Sequence, residues 1–177
     1  GQYKGLSFEL GVPFELNHQD VNKADSPLNL TSMFWVWRSG YKFLRADFST
    51  TGQPQGYFVH IGSTGCEGMS NSGETDHSTH SIKAETVSSE MVSMPPASCS
   101  NPNRLSISLP DFEVDKHTVV ADLGTLLQDS NIDQNQPDSA AGCMSSPDDM
   151  DCTGIFNQLG LDFAKEKSSG QHFFSME

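Results

Sequence analysis

The chain has 177 residues, enough for one domain with a core, but only 35% of them are hydrophobic. Ten Lys and Arg stand against 23 Asp and Glu, a net charge of −13. That balance argues against nucleic acid or anionic lipid as a partner, since both need a basic face, and no apolar run is long enough for a transmembrane helix.

Residues 3–10 alternate, with Leu6, Phe8 and Leu10 on one face and Ser7 and Glu9 on the other, which predicts a half-buried strand. Gly11-Val12-Pro13 ends it. Residues 15–31 read as a polar loop carrying His18, with Asn17 and Asp20 as candidate partners of the imidazole.

Residues 28–47 hold both tryptophans, Trp35 and Trp37, together with Phe34, Tyr41 and Phe43. Their spacing predicts a packed hairpin broken at Ser39-Gly40, and in so polar a chain this stretch is expected to form the core. A strand follows over residues 57–63, placing Tyr57, Val59 and Ile61 on one face and Phe58 and His60 on the other.

Residues 66–103 are rich in Ser, Thr, Gly, Asn and Pro and contain His77, His80, Met91 and Met94. So long a loop is either functional or tied down. Leu105, Ile107 and Leu109 predict another strand, residues 118–121 a short one or a helix entry, and Asp122 the cap of a short helix with Leu123, Leu126 and Leu127. Ser146-Pro147 reads as a second helix start with Asp148, Asp149 and Asp151 in its first turns, and Gly160 as its stop. A last strand is expected around residues 172–174. Residues 111–162 carry eleven acids and one base, Lys116. The expectation is a mainly β domain over residues 1–177, a sandwich or irregular barrel with long loops and a few short helices.

Four cysteines in a loop-rich polar chain favour two disulfides and an oxidising compartment. Three pairings exist, and joining Cys66 to Cys99 and Cys143 to Cys152 is the simplest. Four reduced cysteines, or a zinc site, are the alternatives, although no Cys-x-x-Cys is present.

Among the candidate ligands, His77-x-x-His80 could hold a metal but sits in the Ser/Thr-rich loop. His60, on a strand beside a glycine turn, is better placed. Imidazoles with little sulfur suit copper or zinc. Asp129-x-Asn131-x-Asp133-x-Asn135 has the alternating oxygens of a calcium loop, without Gly at its sixth position or Glu at its twelfth. Neither a nucleophile elbow nor a phosphate loop is present, so the chain is not expected to be an enzyme.

Several strings, read together, resemble a known family: Gly11-Val12-Pro13 with Asn17-His18-Gln19-Asp20; Pro27-Leu28-Asn29; residues 33–43, MFWVWRSGYKF; His60-Ile61-Gly62-Ser63-Thr64-Gly65-Cys66; and Gly142-Cys143-Met144-Ser145 with Asp151-Cys152. The chain resembles the methanobactin-associated (MbnP-like) periplasmic copper-binding proteins, the four-cysteine half of the "metallo-mystery pair". The resemblance implies a disulfide-bonded, periplasmic or secreted β protein that handles copper. It also implies a di-haem cytochrome c peroxidase-like partner, which in related proteins oxidises a tryptophan to kynurenine. Carried over by position, His18 and His60 are the copper ligands and Trp35 or Trp37 the modified residue. The family's leader and N-terminal strands are expected upstream. The alternative is a secreted structural or interaction module whose acidic surface binds calcium or a basic protein.

Overall fold

The structure is a computed structural model, and it describes residues 3–36, 39–67 and 98–177. Trp37, His77, His80, Met91 and Met94 lie outside the described residues.

The elements are mainly short strands. They are β1 Leu6–Leu10, α1 Phe14–Asn17, a 3-10 turn Thr31–Met33, β2 Phe34–Val36, β3 Gly40–Phe48, β4 Tyr57–Gly62, β5 Thr64–Glu67 and β6 Ser98–Asn101. After them come β7 Leu105–Leu109, β8 Val119–Ala121, α2 Leu123–Leu127, β9 Gly142–Cys143, α3 Cys152–Gln158 and β10 Phe174–Met176. The described strands form a four-stranded sheet ordered β2-β3-β4-β9 and three pairs, β1-β7, β8-β10 and β5-β6, none closed into a barrel.

Alternation sets which face each strand buries. On β4, Tyr57, Val59 and Ile61 are buried and Phe58 and His60 are not. On β7, Leu105, Ile107 and Leu109 point inward while Ser106 and Ser108 face water. These residues meet Leu126 of α2 and Ile155, Phe156 and Leu159 of α3 in the main core. Edge-to-face packing of Phe8 on Phe174 ties the β1-β7 pair to β10.

The aromatic stretch is therefore not the principal core. It does form the expected hairpin, β2 against β3, with Phe34 opposite Tyr41. But its buried members, Tyr41 and Phe43, join Val21 in a smaller cluster bordered by Leu10, Val12, Leu28, Met33 and Phe34. Lys42, Arg45 and Asp47 give β3 a polar outer face, so only one side of the hairpin can pack inward.

Asp122 caps α2 as expected, its carboxylate accepting from the backbone N–H groups of Gly124 and Thr125. The second helix departs from expectation: it starts at Cys152, not Pro147. Residues 146–152 run instead as turns, with Asp149 N–H donating to Ser146 O and Cys152 N–H to Asp149 O. Bonding of Cys152 to Cys143 pins the chain where the helix begins. Both disulfides follow the simplest pairing, Cys66–Cys99 and Cys143–Cys152, and no cysteine is free.

Candidate metal centre

Two groups of donors stand out, one on β4 and one past its C-terminal end. The first lies on the outer face of the four-stranded sheet. The β3-β4 register sets His60 opposite Arg45, and Phe58 opposite Asp47, so all four share that face. The Nε2 atom of His60 lies 2.6 Å from Asp47 Oδ1. Arg45 bonds the other carboxylate oxygen, donating through Nε at 2.8 Å and through Nη2. The Arg45 guanidinium first, and the His60 contact after it, hold the Asp47 carboxyl below its ordinary range. An ionised carboxylate can only accept, so His60 Nε2 carries a proton, and in the neutral ring Nδ1 keeps the lone pair. That is how an imidazole is oriented when its other nitrogen binds a metal.

Trp35 reaches this face from β2. Its ring meets His60 edge to face at a centroid distance of 6.1 Å. Gly62 makes room: a Cβ there would stand 3.3 Å from the Trp35 ring carbon Cζ3. Lys42 Nζ and Arg45 Nη1 both donate to Ser32 O, so the two nearby cations are tied to the backbone just before β2.

The second group surrounds His18, which is 4% exposed despite following a four-residue helix in a polar segment. Its ring packs on Phe14 at 4.9 Å. Asn17 orients it. Asn17 Oδ1 accepts from Tyr41 N–H at 2.8 Å, which fixes the amide, so Nδ2 is the atom 3.4 Å from His18 Nε2. Nε2 is thus an acceptor, and Cys99 Sγ lies 3.5 Å from it. Among the described residues this is the one cluster of three or more His, Cys, Asp or Glu donors. His18, Cys66 and Cys99 have their ligand atoms within 4.8 Å of one another. His60 is not a member of it.

Sequence reasoning placed Asn17 beside His18 and the structure has the contact. Asp20 instead bonds Asn22 and Lys23. Asp47 went unnoticed as the partner of His60. Its signal is strand alternation: Asp47 and His60 both fall on the polar side of neighbouring strands.

The oxygens of residues 129–135 have protein partners. Asp129 accepts from Gln158 Nε2 at 2.5 Å, Asp133 from Gly52 N–H at 2.9 Å, and Asn135 Oδ1 from Gly142 N–H at 2.7 Å. Asn131 Oδ1 accepts from Asp133 N–H within the loop, so the side-chain oxygens at all four positions take part in hydrogen bonds that hold this segment in place.

Comparison with curated proteins returns no match. Among solved structures, MbnP from Methylosinus trichosporium matches with a TM-score of 0.76 at 27% identity, covering 99% of this chain and 63% of that one. The chain thus spans a little under two thirds of that protein's length. The family described as MbnP matches over residues 1–145, and the chain belongs to that family.

Proposed function

We propose that this chain is an extracytoplasmic copper-handling protein, with a site built around His60 and the side chain at position 35. The observation that carries this reading is the packing of Trp35 on His60, whose far nitrogen is held by Asp47. The family supplies the metal, and two disulfides suit an oxidising compartment.

Imidazole and oxygen donors suit copper. As tryptophan, residue 35 offers no ligand atom. A di-haem peroxidase-like partner would oxidise it. Two equivalents of hydrogen peroxide each give one oxygen atom and leave as water; the two oxygens add across the indole C2–C3 bond and cleave it to N-formylkynurenine, and hydrolysis then releases formate. The kynurenine has exchanged one carbon for one oxygen and presents an arylamine and a ketone beside His60. Asp47 orients His60, and its charge is already taken up by Arg45.

The test is fragment mass mapping of residue 35, with copper retention, in protein produced together with the partner enzyme. The expected result is the carbon-for-oxygen exchange at Trp35 and one retained copper that is lost in His60→Ala. Asp47→Asn should weaken binding roughly 10–100-fold, as loss of an orienting partner does. Intact Trp35, or copper bound equally well by His60→Ala, overturns the reading.

A further inference from the structure

The His18 cluster carries an inference separate from the His60 site. We infer that opening the Cys66–Cys99 disulfide converts the group around His18 into a Cys2His site for Cu(I). With the disulfide intact the sulfurs are bonded to each other and cannot act as thiolate ligands. What the fold has built is the rest of the site.

Three features prearrange it. First, Cys66 and Cys99 are directly opposed in the β5-β6 ladder, with Thr64 paired to Asn101 and Glu67 to Ser98 on either side. Backbone pairing therefore holds the two sulfurs near each other after the bond between them is gone. Second, His18 Nε2 is held as an acceptor beside Cys99 Sγ: the Asn17 amide, fixed by Tyr41, donates to that nitrogen at 3.4 Å, and Cu(I) would take the lone pair in place of that hydrogen bond. Third, the spacing fits. Metal–sulfur and metal–nitrogen bonds of about 2.3 and 2.0 Å put the two ligand atoms about 3.5–3.7 Å apart for tetrahedral to trigonal angles. Cys99 Sγ and His18 Nε2 are 3.5 Å apart. The bonded sulfurs must separate to about 3.8 Å, which side-chain rotation supplies.

Two soft thiolates and one imidazole select Cu(I) over hard cations.

The electrons come from a dithiol. One thiolate of the reductant attacks a sulfur of the Cys66–Cys99 pair and forms a mixed disulfide, releasing the other cysteine. The second thiol of the reductant displaces the first cysteine, and the reductant leaves as its own disulfide. Two electrons have moved to the protein, and Cu(I) then displaces two thiol protons. Accessibility makes the reaction selective, because Cys99 is half-buried whereas Cys143 and Cys152 are 0% exposed.

The experiment uses the full chain, unmodified at Trp35, treated with a dithiol under native conditions without oxygen. Cu(I) is the probe, with chelator competition and X-ray absorption as readouts. Thiol counting should find two reactive thiols, at Cys66 and Cys99. One Cu(I) should then bind with sulfur neighbours. The oxidised chain and Cys66→Ser/Cys99→Ser should show no copper–sulfur scattering, whereas reduced His60→Ala should still show it. His18→Gln should lose more than the roughly 10–100-fold that accompanies loss of an outer partner. Circular dichroism of the oxidised variants verifies their fold. Copper without sulfur neighbours in the reduced chain, or unchanged affinity in folded His18→Gln, overturns the inference. Loss of the copper–sulfur signal in reduced His60→Ala would mean that the two donor groups form one site, and also overturns it.

Discussion

Asp149 is a buried carboxylate in the most acidic part of the chain, 4% exposed and without a Lys, Arg or His partner among the described residues. Its side chain accepts from Asp151 N–H at 3.1 Å, yet burial pushes its carboxyl above the ordinary value, with the Asp151 charge adding to the rise. A carboxyl raised in the folded state favours folding while protonated, and that advantage is lost as pH climbs through the folded value. The charge therefore costs stability at neutral pH. Asp149→Asn keeps an oxygen to accept the Asp151 N–H and removes the charge. The variant should be the more stable form at pH 7, and the gap should shrink as pH falls to about 4, near the ordinary aspartate value. Urea midpoints at the two values measure it, and a gap that widens toward acid would show that burial of the charge is not the cause. Asp47 behaves oppositely: its lowered carboxyl contributes stability above the ordinary value and loses it as pH falls.

The C-terminal end of α3 shows how a local pattern fixes an element. Gly160 has φ +76°, and its N–H donates to Asn157 O while Leu161 N–H donates to Phe156 O. This is the Schellman arrangement, legible beforehand from a glycine after the apolar stripe Ile155, Phe156 and Leu159. The start of the same helix was not legible. Ser-Pro followed by acids carries the chemistry of a helix N-terminus, but a disulfide across the sequence overrides it by fixing Cys152 against Cys143. Strands β5, β6 and β9 were missed for a related reason. They are short, and their pairing depends on partners distant in the chain. In Gly160→Ala, the new Cβ would meet Gln171 N at 2.7 Å in a backbone conformation that non-glycine residues avoid. The expected cost is about 2 kcal/mol or more, read as a lower denaturant midpoint with an unchanged slope. A midpoint equal to the parent's would show that the turn gives way cheaply.

At the scale of the molecule, the sequence yielded the β class, the core faces of β1, β4 and β7, and both disulfides. It yielded the site only as isolated residues. Trp35, Asp47 and His60 meet through strand register, and His18 meets Cys66 and Cys99 through a ladder that no periodicity announces. The two disulfides occupy different parts of that architecture. Cys143 and Cys152 are 0% exposed and belong to the main core, where they join β9, the parallel neighbour of β4, to the first turn of α3. Cys66 and Cys99 close a longer stretch, with a separation of 33 against 9, outside that core. Loop closure alone ranks the longer bridge higher, roughly 3–4 kcal/mol against 2–3. Packing reverses the order. Deleting both core sulfurs also leaves a cavity beside Val59 and Ile155, and loosens the hold on the helix start. Cys143→Ala/Cys152→Ala should therefore lose more stability than Cys66→Ala/Cys99→Ala, and the latter should keep a single cooperative transition. Equilibrium urea unfolding of the two double variants decides the order. If the 66–99 variant were the less stable, loop entropy and not core packing would govern how this chain uses its cysteines.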